Sequence, residues 1–256
     1  MMSRLLRRGC LLVVCLNLVL FNAVKLAHAG ATEWMDIRIV EGFILVETEV
    51  AGISGFSMID TGASVEAINA NFLAANGLEF KKDRKITLEG VFEKREVNSY
   101  REIPAAVFGS SVVFTRLIEL DLGAPEIQLL IGSNFVDNYI FQFDYVNERM
   151  RLITRDALDL KAIRNVEAKL DRRDDKLLVR VGVEEDEEIW LAMDTGSNGG
   201  ILINRSLASR LDWLETYERL EGTAGGALGS GDMEYFRAPL VTIGPFEIEN
   251  VLVAIP

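Results

Sequence analysis

The sequence predicts an all-β protein of two lobes, built from a duplicated half and carrying only short helices. Residues 58–64 read Met-Ile-Asp-Thr-Gly-Ala-Ser, and residues 192–198 read Ala-Met-Asp-Thr-Gly-Ser-Asn. The register between the two copies continues further along the chain, where Leu-Glu-Gly occurs at residues 88–90 and again at residues 220–222. A repeat of about 135 residues is too long for a solenoid unit and indicates a duplicated domain half.

The segments before the two repeated motifs have the composition of β-hairpins. Residues 40–50 and 55–59 are apolar and β-branched, and the Gly-Ile-Ser-Gly segment at residues 52–55 predicts the turn between them. In the second half the corresponding strands are expected at residues 177–183 and 189–193, around an acidic tip. Each Asp-Thr-Gly motif is therefore expected to follow directly after a strand.

A short helix is expected after each motif, at residues 71–76 and 206–211. Gly77 provides a stop signal for the first of these helices. Strands combined with a few short helices over two similar halves predict the all-β, two-lobed class.

The N-terminal segment has the pattern of a secretory signal peptide. Arginines near the start precede an apolar run at residues 10–24, which is shorter than the ~20 residues needed to span a bilayer. Ala27-His28-Ala29 then matches a signal-peptidase site, so we expect export to the periplasm or medium and no membrane attachment after cleavage. The expected division is a signal peptide at 1–29, a first lobe at 30–166 and a second lobe at 167–256. The charged stretch at 167–176 is expected to link the lobes.

The rare residue types exclude several classes of chemistry. The single His and both Cys of the chain lie within the first 29 residues. Cleavage would therefore leave no Ser-His-Asp triad, thiol nucleophile, disulfide, or zinc site with His or Cys ligands. The 39 Asp and Glu outnumber the 27 Lys and Arg, which argues against nucleic-acid binding. We expect no cofactor and no metal, and chemistry based on carboxylates.

The paired motifs predict a catalytic carboxylate dyad formed by Asp60 and Asp194, which are 134 positions apart. Two carboxyl groups within ~3 Å share one proton, so the ionised group can act as a base on water while the protonated group donates to a carbonyl oxygen. The glycines of both motifs, Gly62 and Gly196, allow sharp turns close to the carboxylates.

Three hydroxyl side chains of the motifs are expected to support the dyad. Thr61 and Thr195 can hydrogen-bond across the two-fold axis, and the hydroxyl of Ser197 can donate to Asp194. Ala63 stands at the corresponding position of the first motif and has no hydroxyl to donate.

These motifs resemble the pepsin/retropepsin superfamily of aspartic proteases over residues 38–256. The segment Leu129-Leu130-Ile131-Gly132 is similar to the family's hydrophobic-hydrophobic-Gly strand, and residues 133–149 are similar to its helix and return strand. Ala63 is similar to the retropepsin residue at this position, whereas Ser197 is more similar to pepsin. The missing disulfides and the short lobes imply, within this resemblance, a bacterial, exported, retropepsin-like member. The resemblance implies a monomer whose lobes form one cleft for a peptide or protein substrate.

The chain departs from this resemblance at its C-terminus. By the repeat, a second hydrophobic-hydrophobic-Gly segment is expected near position 266, so the second lobe is expected to be incomplete and the chain truncated. Residues 90–100 and 222–231 are candidate flaps over the cleft, with a plain loop as the alternative. The sequence favours an exported aspartic endopeptidase. The alternatives are a non-catalytic peptide-binding module on the same fold and an inactive fragment of a longer protease.

Overall fold

The computed structural model describes residues 30–136, 139–171, 176–184 and 187–256, so the predicted signal peptide lies outside the described residues. As predicted, these residues form mostly strands with a few short helices. The elements of the first lobe are β1 (Met35–Val40), β2 (Phe43–Val50), β3 (Ile53–Ile59), β4 (Ala67–Asn69), α1 (Ala70–Asn76), β5 (Lys81–Lys82), β6 (Ile86–Glu89), β7 (Lys94–Val97), β8 (Ser99–Arg101), β9 (Ile103–Val107), β10 (Ser110–Phe114), β11 (Leu117–Leu120), β12 (Ile127–Ile131), α2 (Ser133–Val136), β13 (Ile140–Asp144) and β14 (Arg149–Ile153).

The remaining elements follow in chain order and form the second lobe together with the segment that leads into it. They are a 3₁₀ helix (Arg155–Ala157), α3 (Leu160–Ile163), β15 (Ala168–Asp171), β16 (Lys176–Glu184), β17 (Glu187–Ala192), β18 (Ile201–Leu202), α4 (Arg205–Arg210), α5 (Trp213–Thr216), β19 (Leu220–Gly226), β20 (Gly229–Ile243) and β21 (Phe246–Ile255).

The first lobe is organised around the strand that leads to Asp60. Strands β2 and β3 form an antiparallel hairpin, and β3 ends at Ile59. Strand β12 lies between β3 and β4, parallel to β3 and antiparallel to β4, while β11 runs parallel to β4 on its other side. Ile59, Ile68 and Leu129 on these central strands are fully buried, so the loop that carries Asp60 begins from a rigid core.

The second lobe repeats most of this arrangement. Strands β16 and β17 form the hairpin that leads to Asp194, and β18 pairs in parallel with β21, as β4 does with β11. Strand β20 pairs with β16, β19 and β21 and so connects the sheet. A separate core, with Trp213 and Phe236 at its centre, lies under this sheet. Each lobe therefore has its own core, and the two motif loops meet between the lobes.

The structure corrects two boundaries expected from the sequence. The strand expected at residues 40–50 is broken, because Glu41 and Gly42 both have positive φ and turn the chain between β1 and β2. The next turn lies at Ala51 and Gly52, also with positive φ, one residue earlier than the expected segment 52–55. Two consecutive left-handed residues are typical of type I′ hairpin turns, which match the twist of the flanking strands.

The expected linker at residues 167–176 contains strand β15. Residues 168–171 pair antiparallel with β16 and extend the second sheet, because Ala168 and Leu170 face apolar positions of β16 (Val179 and Leu177). The charged side chains within β15, such as the exposed Lys169, therefore lie on the outer strand of a sheet, where charged side chains reach solvent.

The helices after the two motifs lie within one residue of the expected positions. Asn69 and Asn204 cap the N-termini of α1 and α4 by accepting backbone N–H groups. Gly77 ends α1 in the left-handed conformation, as its position predicts. Across the described parts of the chain, no helix is long and apolar enough to cross a bilayer.

Candidate active site

Reciprocal hydrogen bonds between two threonines lock the Asp-Thr-Gly loops together. The Thr61 amide donates to Thr195 Oγ1, and the Thr195 amide donates to Thr61 Oγ1, both at 3.1 Å. Each hydroxyl in turn donates to a carbonyl of the opposite lobe, from Thr61 to Met193 at 2.9 Å and from Thr195 to Ile59 at 2.8 Å. Four bonds with two-fold symmetry thus fix the position of one loop relative to the other.

The two motif glycines allow each carboxyl group to lie against the opposite loop. A methyl group on Gly196 would lie 2.3 Å from Asp60 Cγ, and a methyl group on Gly62 would lie 2.4 Å from Asp194 Cγ. No side chain larger than hydrogen fits either place without displacing a carboxyl group. The close approach inferred from the sequence therefore acts across the lobes, from each glycine to the aspartate of the other motif.

Asp60 is largely buried and carries an elevated pKa. The amides of Gly62 and Ala63 both donate to Asp60 Oδ1 at 2.9 Å. Burial and the nearby charge of Asp194, with which Asp60 shares a side-chain hydrogen bond, raise the pKa of Asp60 to about 6 from its ordinary value of 3.8. The two backbone bonds oppose this rise because they stabilise the ionised form. Asp60 therefore holds a proton under mildly acidic conditions.

Asp194 has a more open environment than Asp60. It is exposed, and the Gly196 amide donates to its Oδ1 at 2.8 Å. The Ser197 amide bonds to the backbone carbonyl of Asp194 at 3.4 Å. Within the described residues, no hydrogen bond joins the Ser197 hydroxyl to the Asp194 carboxyl group, which is the contact expected from the sequence. Six of the seven predicted site residues thus meet directly at the loop contact, and Ser197 lies beside it.

Two hairpins cover a cleft of about 770 Å³ that contains both aspartates. The first is β6–β7, with its tip at residues 90–93, and the second is β19–β20, with its tip at Ala227 and Leu228. Both tips lie inside the segments that the sequence suggested as flaps, 90–100 and 222–231, whereas the strands of both hairpins extend beyond these segments. The cleft volume is in the range typical of ligand-binding pockets.

The hairpin tips touch each other across the cleft. Leu228 of the second hairpin is buried in an apolar cluster of the first lobe, beside Val97 and Leu130. The Arg95 guanidinium donates to the Leu228 carbonyl, and the Phe92 ring covers Gly231, where a methyl group would lie 2.2 Å from the ring. The sequence does not predict these roles of Phe92, Arg95 and Leu228, because their partners are more than 100 positions away and no local motif marks them.

No group of three or more His, Cys, Asp or Glu side chains in the described parts of the chain is arranged to hold a metal. Instead, the site combines two carboxyl groups, one with a raised pKa, and converging backbone amides. Such a pair can take a proton from water and give a proton to a leaving or carbonyl group.

The match to a protein family agrees with this chemistry for the second motif. Residues 179–256, which contain the second Asp-Thr-Gly motif, match the aspartyl protease family. A search of curated proteins found no significant match. Among the solved structures similar to this chain is the crystal structure of a retropepsin-like aspartic protease from Rickettsia conorii. It is 19% identical, covers 48% of this chain and 89% of its own, and has a TM-score of 0.33.

The site defines a protein with a paired-aspartate cleft between two lobes. The family match supports the predicted aspartic protease resemblance for residues 179–256. It also supports a protease-type function.

The raised pKa of Asp60 predicts a specific dependence of stability on pH. Because the folded-state pKa of about 6 exceeds the ordinary value of 3.8, the folded state binds the proton more tightly than the unfolded state does. The contribution of protonated Asp60 to the free energy of unfolding is therefore fully present below about pH 4, and it is lost as the pH rises through 6. At 1.36 kcal/mol per pKa unit, the loss is about 3 kcal/mol.

Urea unfolding of the wild type and Asp60→Asn measures this effect. The variant cannot ionise at position 60, so its free energy of unfolding relative to wild type should increase by about 3 kcal/mol between about pH 3.5 and pH 7. Taking the difference between the two proteins removes the contribution of the carboxylates that do not interact with Asp60. A difference that stays constant over this range would contradict the assignment.

Proposed function

We propose that this protein is an exported aspartic endopeptidase that hydrolyses peptide bonds with a water molecule activated between Asp60 and Asp194. The observation that carries the proposal is the locked contact of the two Asp-Thr-Gly loops, which holds both carboxyl groups at the floor of one cleft. The aspartyl protease family match supports it independently. Hydrolysis of an unstructured protein substrate by the wild type, compared with its aspartate variants, is the direct test.

The reaction assigns a separate task to each carboxyl group. The dyad holds one proton, and the ionised group takes a proton from water as the oxygen attacks the peptide carbonyl carbon. The protonated group donates to the carbonyl oxygen, which gives a tetrahedral diol. The group that took the proton from water then gives it to the nitrogen, and the other group takes a proton back from a diol hydroxyl. The C–N bond breaks, an amine and a carboxylic acid are released, and the dyad again holds one proton. The raised pKa of Asp60 makes it the proton donor in the resting state.

The cleft favours an extended peptide as the substrate. Its walls combine apolar side chains of the first lobe, such as Leu88 and Leu120, with the glycine-rich strand at residues 223–226. The contact between Leu228 and the first lobe must open before a polypeptide can enter, so opening of the hairpins is part of the catalytic cycle.

The rate should follow a bell in pH with its upper limb near pH 6. Both limbs belong to the dyad as a pair, because the working form has one proton on two carboxyl groups. Above the pKa of about 6 Asp60 loses its proton and can no longer act as the acid, so we expect a mildly acidic optimum.

Ala63→Ser adds a hydroxyl donor beside Asp60 and should move the upper limb of the pH profile toward acid. A rate that rises steadily to about pH 9 would contradict the shared proton, and an unmoved limb would contradict the role of position 63.

A non-catalytic peptide-binding module is the second candidate, favoured by the open environment of Asp194. Such a module needs the cleft but has no need for a proton on Asp60. Peptide binding without any cleavage over several days, at a pH where Asp60 is protonated, would favour the binder or an inactive fragment over the enzyme.

Export predicts a mature protein that begins at Gly30. Edman sequencing of protein recovered from the periplasm or medium of expressing cells should read Gly-Ala-Thr-Glu. Ala29→Pro should block cleavage and retain the precursor. A soluble cytoplasmic protein with an intact Met1 would contradict export.

Peptides or proteins are the expected partners, and a monomer is the expected working form.

A further inference from the structure

Strand β12 of the first lobe holds the Asp60 loop at two points. The Asp60 amide donates to the carbonyl of Ile131, the last residue of β12, at 3.0 Å. Just beyond the strand, the Ser133 amide donates to the Ala63 carbonyl at 2.8 Å. The position of β12 along its neighbour β3 therefore decides which backbone groups meet the loop.

A β-bulge at Gln128 sets the register of β12 against β3. Ile127 lies opposite Phe56. The next residue of β3, Ser57, lies opposite Leu129, so that Gln128 is an extra residue in β12. Bulges of this kind are frequent next to active sites, where they redirect a strand. This one moves all of β12 after residue 128 by one position relative to β3.

The bulge is needed because only glycine fits where β12 leaves the sheet under the loop. A methyl group on Gly132 would lie 2.5 Å from the Val65 carbonyl oxygen and 2.9 Å from the Ala63 carbonyl oxygen. Regular pairing without the extra residue would bring Ile131 to this place, with its side chain against both carbonyls. A slip of one residue also turns side chains to the opposite face of the sheet. The Asp60 loop therefore depends on the bulged register.

The Gln128 side chain is buried at the bulge and fully hydrogen-bonded to the β2–β3 hairpin. Thr48 Oγ1 donates to Gln128 Oε1 at 3.0 Å, and Gln128 Nε2 donates to the Ile53 carbonyl at 2.7 Å. Because the single hydroxyl proton of Thr48 goes to Gln128, the 2.7 Å contact between Thr48 and Ser57 is a donation from Ser57. Gln128, Thr48 and Ser57 are all buried, and we call these three residues the bulge cluster.

Gly55 makes room for the bulge cluster. A methyl group at position 55 would lie 2.7 Å from Gln128 Cδ. Gly55 lies within β3, opposite Thr48, and its φ is not positive. The sequence predicts this glycine as part of a turn, whereas the structure requires it for packing against the glutamine amide.

The bulge cluster opposes every other register of β12. A shift of the strand would take the Gln128 amide away from Thr48 and from the Ile53 carbonyl. Buried polar groups without partners are costly, and hydrogen bonds in a connected cluster support one another. The cluster therefore favours the one register in which the end of β12 fits the Asp60 loop.

We propose that Gln128 is a positioning residue for Asp60. Its buried amide holds the β12 bulge, and the bulge brings the Ile131 carbonyl and the Gly132 backbone under the Asp60 loop. Gln128 lies outside the set of residues that line the cleft, so it acts on the dyad through β12. The expected effect on catalysis rests on the proposed function, whereas the expected effect on the protonation of Asp60 does not.

Gln128→Met tests the proposal without a substrate, because it keeps a side chain of similar size and removes both hydrogen bonds of the amide. The Asp60 loop should loosen and admit water. Since burial is the largest cause of the raised pKa of Asp60, its titration midpoint should fall by at least about 1 pH unit from about 6. Carbon-13 NMR of labelled aspartate carboxyl groups, with the Asp60 signal assigned through Asp60→Asn, measures this midpoint.

Hydrolysis rates distinguish positioning from a general loss of stability. Gln128→Met should lower kcat at least about tenfold, leave KM within about threefold and move the upper limb of the pH profile toward acid. Ser99→Ala is the matched control, because Ser99 is also buried in the first lobe and its hydroxyl donates to the Arg84 carbonyl, away from β12. This control should lose stability but keep the wild-type kcat and the wild-type Asp60 midpoint.

Two further variants test the amide itself. Gly55→Ala keeps Gln128 but places a methyl group against its amide, so the Asp60 midpoint should fall as it does in Gln128→Met. Gln128→Glu offers the same contacts while its carboxyl group is neutral, since a protonated carboxyl group can accept from Thr48 and donate to the Ile53 carbonyl. Burial should keep this group protonated near about pH 5, where kcat and the Asp60 signal should match those of the wild type.

The outcomes separate the positioning role from the proposed enzyme. A wild-type Asp60 midpoint in folded Gln128→Met, or an equal fall in Ser99→Ala, would overturn the proposal. If Gln128→Met does not fold, Gly55→Ala decides by the same measurement, and an unmoved midpoint there would overturn the proposal too. A fall of the midpoint in a protein that hydrolyses no peptide would support the role of Gln128 and count against the proposed enzyme.

Discussion

Asp60→Asn and Asp194→Asn are each expected to reduce peptide hydrolysis by at least about 10³-fold. Asn cannot ionise, so the dyad loses its shared proton and one of the two roles of acid and base. Because the two groups act as a unit, each single variant should lose nearly as much activity as the double variant. Initial rates on an unstructured protein substrate, measured near the pH optimum, test this expectation.

Two controls separate loss of chemistry from loss of structure. Asp36→Asn removes an exposed carboxylate from β1, outside the cleft, and should keep wild-type activity. Circular dichroism and a urea midpoint at or above the wild-type value should show that Asp60→Asn is folded. A hydroxyl-bearing analogue of the tetrahedral intermediate should bind the wild type and lose affinity for both dyad variants. Turnover within tenfold of wild type in either variant would rule out the dyad mechanism.

The parts of the site that could be predicted from the sequence are those with a local signal. Each Asp-Thr-Gly motif follows an apolar hairpin and precedes a capped helix, and this order is readable within about 30 residues. The duplication then predicts that the two loops face each other, since equivalent positions of similar lobes meet near a two-fold axis. The contact between Thr61 and Thr195 follows from that symmetry.

The parts that the sequence did not predict depend on contacts between distant residues. Leu228 follows a glycine-rich strand that resembles a mobile loop, yet it is buried because the first lobe offers it an apolar cluster. The turn at Glu41 was missed for a different reason. Glutamate has no preference for positive φ, and it adopts this conformation because Gly42 and the twist of β1 and β2 require it.

The asymmetry between the two aspartates could be predicted from the sequence only in part. The sequence predicts a hydroxyl donor for Asp194 alone and an incomplete second lobe, whereas the structure gives Asp60 two amide donors and substantial burial, and gives Asp194 one amide donor and exposure. The difference follows from packing, because β12 lies under the first loop and no described strand lies under the second. The two motif glycines should therefore differ in their tolerance of a side chain.

Gly196→Ala is expected to reduce hydrolysis at least about 100-fold, and Gly62→Ala is expected to have a smaller effect. The methyl group at position 196 would lie 2.3 Å from Asp60 Cγ. Asp60 cannot move away easily, because two amides hold its Oδ1, so the strain must separate the loops. A displacement of about 1 Å in a catalytic group is enough for a 10²-fold loss.

The methyl group at position 62 would instead meet Asp194, which is exposed and has one amide donor, so that its side chain can rotate toward solvent. Gly199→Ala is the matched control in the same loop, because a methyl group there has no heavy atom within 4 Å, and it should retain activity. Rates of hydrolysis for the three variants on one substrate show how their losses of activity rank. Unfolding curves verify that each variant is folded. A loss in Gly62→Ala greater than that in Gly196→Ala would mean that Asp194, and not Asp60, is the more rigidly held member of the dyad.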